Sequence, residues 1–430
     1  MHYSEGDLVK IHLAFGREGM DIEIPERNLL KVLTMEKAVI LPDPARELES
    51  QLGDPIGGRP LAALAGDAES ACVVISDITR PVPNKVLLPP ILATLETHGI
   101  PRGGITILVA TGLHRPSTPD ELTAMVGSEI LVNYRVLDHH ARVPGEQRYL
   151  GLTSRNTPVY IDTRYCESDL KLTTGFIEPH LMAGFSGGRK LVAPGCAGEL
   201  TIKALHSPYF LENPACCEGS IDDNPLHHEL IEIARKAGHD FIVNVSLDVD
   251  GAVTGMFAGD PEIAHARGMD FVRRSVRAIA PRQADIVITT SAGYPLDLTY
   301  YQSVKGITAA LPVVKKGGML IVAAKCEEGL GSPEFTSMAR AYRTVDGFVG
   351  TIMANPVVID QWQLEECAKA AKQADVVLVS PNIAARFGSD LFIRTASTVE
   401  EALVEGFRKF GPDASIAVIP KGPYTLVGVE

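Results

Sequence analysis

The alternation of strand-like and helix-like segments is the sequence feature that most restricts the fold of this chain. Short runs rich in β-branched residues, such as 105–110, precede longer segments with helical periodicity, such as 119–126. This order is typical of an α/β fold with a mainly parallel sheet, because a crossover helix returns the chain to the same end of the sheet. The expected strands are 72–76, 105–110, 159–162, 170–174, 241–247, 286–290, 319–323, 376–380 and 416–419. The expected helices are 85–98, 119–126, 225–236, 261–278, 303–314, 332–342, 361–374 and 399–407.

The length of 430 residues predicts two or three domains. A boundary is expected at Ile279-Ala280-Pro281, between a long helix and a strand. We therefore predict an N-terminal α/β domain over 1–280, which opens with a small β-hairpin, and a C-terminal α/β domain over 281–415. A final strand segment over 416–430 is left open to rejoin the N-terminal domain or to stay with the C-terminal one. The active site is expected in the cleft between two such domains.

Composition excludes several classes of protein. Hydrophobic residues make up 45% and charged residues 22%, and no run approaches the roughly 18 apolar residues of a membrane helix. The net charge of −13 argues against broad nucleic-acid binding. The first residues lack the features of a secretion signal, so we expect a cytoplasmic protein without a membrane partner. Seven cysteines without C-x-x-C spacing predict reduced thiols and no zinc ribbon.

Polar residues with useful chemistry follow several of the predicted strands. Because ligands of open α/β sheets bind beyond the carboxyl ends of strands, these residues are candidates for one site. Asp77 and Arg80 follow strand 72–76, and His114 follows strand 105–110. Glu178 and His180 follow strand 170–174, and Tyr301, Gln302 and Lys305 follow strand 286–290.

A glycine-rich turn over 184–188 lies between two histidines, His180 and His206, and ends in Arg189 and Lys190. Imidazoles and an amine beside flexible backbone predict a site for an anionic group together with a metal or reactive cofactor. The turn is not a Walker A motif, which requires Ser or Thr after its lysine. Backbone amides of a glycine turn can still bind phosphate.

Each of these residues also has a structural interpretation. Asp77 suits a helix N-cap, Arg80 a surface charge and His114 a turn, while His206 suits the end of a helix. The glycines suit a tight turn, and Tyr301, Gln302 and Lys305 suit a solvated helix start. We assign structural roles to the histidine pairs at 139–140 and 227–228 and to the single tryptophan, Trp362.

A functional interpretation is favoured because these residues are all expected at the carboxyl ends of strands, where they can form one site. Arg80 and Lys305 can bind a carboxylate, and His114 and His180 can act as acid and base near neutral pH. Two such groups acting on one small substrate indicate a reaction on both faces of a carbon. The residues therefore predict a racemase or epimerase.

At these positions the chain resembles the lactate racemase family, whose members use a nickel-pincer nucleotide. The similar motifs are S-D-I-T-R-P at 76–81, A-T-G-L-H-R at 110–115, E-P-H-L-M-A-G-F-S-G-G-R-K at 178–190, A-P-G at 193–195, His206 and Y-Q-S-V-K-G at 301–306. They appear in the family's order and cover roughly residues 70–310. The resemblance implies a two-domain α/β enzyme that depends on cofactor-building enzymes.

The resemblance also implies a role for each matching residue. Lys190 matches the lysine that is covalently joined to the cofactor, the pyridinium-3-thioamide-5-thiocarboxylic acid mononucleotide with nickel, and His206 matches the nickel ligand. His114 and His180 match the acid–base pair. The residues matching substrate-binding positions are Arg80, Tyr301, Gln302 and Lys305. Those expected beside the cofactor are Asp77, Phe185, Ser186, Gly187 and Gly188. Cys196 departs from the family, where an apolar residue is common, and we interpret it as a small buried residue.

Hydride transfer suits the expected chemistry, because the α-hydrogen of a 2-hydroxy carboxylate is too weakly acidic for two histidines to remove as a proton. On this hypothesis the substrate is a short aliphatic 2-hydroxy acid such as lactate, since no second arginine cluster marks another carboxylate pocket. A larger malate-like, aromatic or sugar acid is the alternative. Two other classes stay open: a metal hydrolase or lyase that uses His114, His180 and His206 as ligands, and a cofactor-carrying protein with a degenerate site.

Overall fold

The computed structural model describes residues 8–35, 38–248, 250–388, 391 and 393–430. They form two compact units. The N-terminal unit contains the described residues of 38–206 and 213–274. The C-terminal unit contains those of 8–35, 207–212 and 275–430. The first described residues, 8–35, thus belong to the same unit as 275–430, which differs from a first domain running from residue 1 to 280.

The described residues contain the following strands and helices. The strands are β1 Leu8–Leu13, β2 Met20–Pro25, β3 Leu29–Val32, β4 Ala71–Ser76, β5 Ile105–Ala110, β6 Arg135–Asp138, β7 Gln147–Leu152, β8 Pro158–Asp162, β9 Leu170–Phe176, β10 Pro179–His180, β11 Gly184–Phe185, β12 Phe241–Leu247, β13 Val253–Gly259, β14 Arg277–Ala280, β15 Ala284–Thr290, β16 Val314–Ala323, β17 Asp375–Val379, β18 Arg394–Ala396, β19 Ile416–Ile419 and β20 Leu426–Val429. The helices are α1 Pro44–Gly53, α2 Leu61–Ala65, α3 Asn84–Thr97, α4 Pro119–Val126, α5 Ser128–Asn133, α6 Thr163–Glu167, α7 Arg189–Val192, α8 Glu199–Leu205, α9 Pro208–Leu211, α10 Pro225–Ala237, α11 Ile263–Ser275, α12 Tyr300–Ala310, α13 Pro333–Ala341, α14 Val345–Ala354, α15 Gln361–Gln373, α16 Pro381–Phe387 and α17 Val399–Phe410.

The N-terminal unit is built on a six-stranded sheet with the order β13-β12-β9-β4-β5-β6. All neighbours are parallel except β12 and β13, which pair antiparallel. Every residue of the central strand β4 is buried, as expected for a strand covered on both faces. Leu87 and Ile91 of α3 pack in the same core cluster as Val73 of β4.

The C-terminal unit is built on an entirely parallel sheet with the order β18-β17-β16-β15-β19-β3. Strand β19 is buried at every residue and pairs with β15 and β3. Strand β20 pairs with β14 in a separate two-stranded sheet. The final segment, 416–430, therefore stays with the C-terminal unit, because its apolar strand fills a position inside that sheet.

The β1–β2 hairpin explains why the start of the chain belongs to the C-terminal unit. The sequence predicts this hairpin, and the two strands pair antiparallel. Leu13, Ile22 and Ile24 on one face of the hairpin are buried in one core cluster with Ile286 and Ile288 of β15. The hairpin therefore covers apolar residues of the C-terminal sheet, a contact between residues far apart in sequence.

The predicted strands and helices are present, with some ends shifted. Two helix predictions are wrong at their ends. The helix over 303–314 stops at Ala310, before a short 3-10 turn and β16, and the helix over 261–278 stops at Ser275, before β14. Pairing of β14 with β20, near the far end of the chain, overrides local helical periodicity there. Among the described residues, no helix combines the length and apolar character needed to cross a membrane. The fold is a mixed α/β architecture with mainly parallel sheets and two domains.

Candidate active site

Three neighbouring parallel strands position the candidate site in the N-terminal unit. Strands β9, β4 and β5 are adjacent and parallel, so their carboxyl ends lie at one edge of the sheet. Asp77 and Arg80 follow β4, His114 follows β5, and His180 follows β9. The sheet thus places the segments that carry these residues at the same edge.

Asp77 and His114 form a hydrogen-bonded pair. The His114 Nδ1 lies 2.6 Å from the Asp77 Oδ2, and the Thr79 hydroxyl donates to Oδ1 at 2.6 Å. Burial alone would raise the pKa of Asp77, but the His114 and Thr79 hydrogen bonds hold it below its ordinary value. An ionised Asp77 accepts from Nδ1–H, so Nε2 of His114 is the nitrogen available for acid–base chemistry. Helix α3 begins only at Asn84, so Asp77 is not its N-cap.

Arg80 is held by Glu178, which lies before His180 in the chain. The Arg80 Nη1 donates to the Glu178 Oε1 at 2.7 Å, and both side chains are largely shielded from solvent. A guanidinium carries five N–H donors in a rigid fork, so one ion pair leaves it able to bind a second carboxylate. Arg80 is therefore an oriented partly buried cation, which differs from a solvated surface charge.

The glycine-rich turn is packed against atoms of the chain itself. A Cβ added at Gly187 would lie 2.5 Å from the Asn244 Oδ1, and one at Gly188 would lie 2.9 Å from the His265 ring. Both residues also have positive φ, 78° and 48°, which favours glycine. Phe185 is fully buried, and the Ser186 hydroxyl donates to the Phe176 carbonyl at 2.8 Å. Tight packing thus accounts for the glycines, and their predicted contact with the cofactor stays a prediction.

Lys190 and His180 lie together beside this turn. The Lys190 Nζ is 3.0 Å from the His180 Nε2. The His180 Nδ1 accepts from the backbone N–H groups of Met182 and Ala183, at 3.2 Å each. Because Nδ1 accepts, the ring proton of neutral His180 lies on Nε2, and this nitrogen faces the lysine.

His206 follows the last residue of α8 and is partly buried. Its Nδ1 lies 2.8 Å from the Ile202 carbonyl oxygen, so Nδ1–H donates and Nε2 carries the lone pair. Burial lowers the pKa of His206 to about 4, and the nearby Lys190 charge acts in the same direction. A neutral imidazole with a carbonyl-bound second nitrogen is the form in which histidine binds metals. Among the described residues, no group of three or more His, Cys, Asp or Glu is arranged to hold a metal ion.

The other predicted substrate-binding residues lie in the C-terminal unit, at the start of α12. The Tyr301 hydroxyl accepts from the Trp362 Nε1 at 3.1 Å, and its ring packs edge-on against Phe335. Burial raises the pKa of Tyr301. Gln302 and Lys305, one turn apart on the same helix, are partly buried. Tyr301, Gln302 and Lys305 are therefore partly shielded from solvent at the start of α12, and are not fully solvated as their structural interpretation expected.

Arg189 has a structural role in this region that local sequence patterns did not predict. Its side chain is buried, and Nη2 donates to the Ala183 carbonyl at 2.9 Å and to the His227 Nδ1 at 2.8 Å. Burial lowers the pKa of Arg189 to about 9. The guanidinium ties the glycine-rich turn to α10. Only its position beside Lys190 in the motif hints at this role.

Cys196 is fully buried and lies shortly after Lys190 in the chain. Burial raises the pKa of its thiol well above the ordinary value. A protonated buried thiol behaves as a small apolar residue, in agreement with the interpretation from the sequence.

The N-terminal unit brings an Asp-paired histidine, a lysine-paired histidine and an arginine to one sheet edge, an arrangement typical of enzyme active sites. Two family models match the chain: the lactate racemase N-terminal domain over residues 15–218 and the lactate racemase C-terminal domain over 279–427. The chain therefore belongs to the lactate racemase family, and it is an isomerase of the racemase type.

Individual relatives are similar over almost the whole chain. A lactate racemase of Lactiplantibacillus plantarum is 35% identical over 427 residues, covering 98% of this chain and 100% of the relative. One of Thermoanaerobacterium thermosaccharolyticum is 32% identical over 425 residues, covering 98% and 99%. The apoprotein structure from the latter organism matches with a TM-score of 0.92 over 97% of this chain and 100% of that chain. A Thermotoga maritima structure, 18% identical, shares the fold with a TM-score of 0.67 over 91% and 100%.

Proposed function

We propose that this protein interconverts the enantiomers of a 2-hydroxy acid, with a short aliphatic acid such as lactate favoured. The proposal includes a nickel-pincer nucleotide tethered at Lys190 and a cytoplasmic location. The observation that carries it is the 3.0 Å approach of the Lys190 Nζ to the His180 Nε2, with a second histidine, paired with Asp77, after a strand at the same sheet edge. Similarity to two proteins named lactate racemase supports the choice of substrate.

The residues of the site fit the proposed cofactor. Lys190 is partly exposed and carries an amine able to form the tether. His206 is neutral near pH 7 because burial lowers its pKa to about 4, and its Nε2 would be the protein ligand of nickel. A cofactor that brings its own metal ligands needs only one from the protein. This need agrees with the lack of a three-residue cluster among the described residues.

In the proposed reaction Arg80 binds the substrate carboxylate while Glu178 holds the guanidinium in place. The Nε2 of His114 accepts the hydroxyl proton of one enantiomer, and Asp77 stabilises the imidazolium that results. His180 is assigned the same task for the other enantiomer, which requires the tautomer with the ring proton on Nδ1 and the lone pair on Nε2. When bound, the cofactor would supply the capacity to accept hydride and return it. Gln302 and Lys305 would complete carboxylate recognition.

Two alternatives remain distinguishable. A larger 2-hydroxy acid with the same chemistry would differ only in the pocket for its side chain. A hydrolase or lyase with His114, His180 and His206 on one metal ion requires three converging imidazoles. The described residues contain no such cluster, so the racemase proposal is favoured.

The test compares Lys190→Arg with Lys203→Arg in protein produced with the cofactor-building enzymes. Lys203 lies on α8 and pairs with Glu199 at 2.6 Å, so it controls for loss of a lysine near the site. We expect wild type and Lys203→Arg to carry nickel and extra mass on Lys190, and to racemise a 2-hydroxy acid in chiral chromatography. Lys190→Arg should lose the mass and the activity. Fully loaded wild type that racemises no member of a broad 2-hydroxy-acid panel would refute the proposal.

A further inference from the structure

His139 is a buried histidine outside the acid–base pair. It follows β6 directly, and only 1% of its surface is exposed. Its Nδ1 lies 2.9 Å from the Asp162 Oδ2, and its Nε2 lies 2.9 Å from the Ala197 carbonyl oxygen. Each ring nitrogen therefore faces an oxygen.

Both of these oxygens act as acceptors. The Arg164 Nε donates to the Asp162 Oδ1 at 2.8 Å. Burial would raise the pKa of Asp162, but hydrogen bonds from Arg164 and His139 hold it at about 2. An ionised carboxylate and a backbone carbonyl have no proton to donate. Both ring nitrogens of His139 are thus placed to donate, one to Asp162 and one to Ala197.

The backbone of His139 supports the loop that carries His114. The Thr111 hydroxyl donates to the His139 carbonyl at 2.5 Å, and Thr111 is itself buried. The His114 N–H in turn donates to the Thr111 carbonyl at 2.9 Å. A chain of two hydrogen bonds thus leads from His139 to the backbone of the acid–base histidine.

The ring of His139 supports the turn that ends the helix carrying Lys190. The Gly195 N–H donates to the Lys190 carbonyl at 3.0 Å, and the Ala197 carbonyl in the same turn accepts from His139. The Gly112 N–H donates to the Gly195 carbonyl at 2.9 Å, which joins this turn to the His114 loop. His139 therefore contacts both segments whose relative position sets the distance from His114 to Lys190.

We propose that His139 is a positioning residue, which acts as a doubly protonated latch between the His114 loop and the turn after Lys190. The expected effect on catalysis rests on the proposed function. The proposed protonation of both His139 nitrogens does not depend on that function. Glutamine cannot donate in two opposite directions, so His139→Gln removes one of the two ring hydrogen bonds, to Asp162 or to Ala197. A misplacement of about 1 Å can cost about 100-fold in rate. We expect kcat per tethered cofactor to fall 10- to 100-fold, with KM nearly unchanged because Arg80 is untouched.

The matched control is His140→Gln. His140 is the neighbouring residue, and its Nδ1 lies 3.0 Å from a carboxylate oxygen of Glu146, which is partly exposed. Thr111→Val is a second, nearly isosteric variant that breaks the backbone arm of the latch without touching His139. It decides the question if His139→Gln does not fold, and we expect its kcat to fall about 10-fold.

Kinetics and nuclear magnetic resonance separate the possible failures. In the cofactor-free protein with ¹⁵N-labelled histidine, His139 should show two N–H protons at neutral pH. His114 ring signals should shift in His139→Gln and in Thr111→Val but not in His140→Gln. A single N–H proton on His139 would overturn the latch. The latch would also be overturned if the loaded, folded His139→Gln and Thr111→Val variants had the same kcat as His140→Gln. Inactive loaded wild type would instead count against the proposed function, and the cofactor-free spectra would still decide the latch.

Discussion

The three histidines of the candidate site differ in the hydrogen bond that the Nδ1 of each ring makes. In His114 it donates to a carboxylate, in His206 to a backbone carbonyl, and in His180 it accepts from backbone N–H groups. These partners set which nitrogen can take up a proton or bind a metal. One residue type thus suits different tasks because each copy has a different hydrogen-bond partner.

Asp77→Asn tests the orientation of His114. The amide no longer stabilises a charged His114 ring and can favour the wrong tautomer, so we expect kcat to fall by about 100-fold or more. Carboxylate binding should persist, because Arg80 keeps its pair with Glu178. Steady-state kinetics of loaded enzyme in both directions measure the effect.

Thr79→Val is the control for this variant. It removes the other hydrogen bond to Asp77 but leaves the His114 contact in place. We expect less than a fivefold change in kcat, roughly what the loss of one modest hydrogen bond produces. Equal losses in Asp77→Asn and Thr79→Val would mean that general packing around Asp77, and not the tautomer of His114, is responsible.

Among the helices, α15 carries a carboxyl group, that of Glu365, in a buried environment that disfavours its ionised form. Glu365 is fully buried, and the Glu212 side chain that it interacts with is another carboxyl group. Burial, with a contribution from the nearby Glu212 carboxylate, raises the pKa of Glu365 to about 8. The next residue, Glu366, instead pairs with Lys369 at 2.7 Å.

Glu365→Gln should stabilise the C-terminal unit at pH 8 by about 1–3 kcal/mol, because it removes a buried acid that ionises at a cost. At pH 5 the carboxyl is protonated and the gain should shrink. Glu366→Gln should have the opposite sign, because it leaves Lys369 without its carboxylate. Urea unfolding at the two pH values measures both, and a destabilising Glu365→Gln at pH 8 would contradict the assignment.

The β1–β2 hairpin provides a second prediction at this scale. Ile24 is fully buried against the C-terminal sheet, so Ile24→Ala should lower the free energy of unfolding by about 2–4 kcal/mol. Glu23, the preceding residue, points to solvent. Glu23→Ala should change stability by less than about 0.5 kcal/mol. Similar midpoints for both variants in urea would show that the hairpin does not contribute to the core.

For the whole molecule, the two units are expected to lose stability at opposite ends of the pH range. In the N-terminal unit burial lowers the pKa of His227 and His239 to about 3, and that of His265 as well. Between about pH 3 and 6.5 the unfolded chain binds protons that the folded chain does not, so stability rises with pH. Folded Glu365 holds a proton up to about pH 8, so its contribution falls as pH rises above about 4.5.

His227→Gln should reduce the acid slope of stability by about 1 kcal/mol per pH unit, since one fewer histidine must charge on unfolding. The glutamine oxygen can still accept from Arg189. His98→Gln, at an exposed position in the same unit, is the control and should leave the slope unchanged. Urea unfolding from pH 4 to 7 gives the slopes, and an unaltered slope in His227→Gln would refute the buried-histidine explanation.

Much of the candidate site was predictable because its residues lie in short motifs at strand ends. Local patterns locate β4, β5 and β9, and parallel pairing of these strands brings Asp77, His114 and His180 to one edge. The sequence offered no comparable signal for His139, which looked structural. Its two hydrogen-bond partners, Asp162 and Ala197, are distant in the chain.

Local periodicity and residue type are enough to predict the α/β class, the order of strands and helices and the chemistry available at their ends. They do not predict that β3 and β19 complete the C-terminal sheet, or that the hairpin packs there too. They also do not predict the lowered pKa of His206 or the raised pKa of Glu365, because burial and distant partners set those values. Long-range contacts control desolvation and strand pairing, and sequence periodicity carries no information about them.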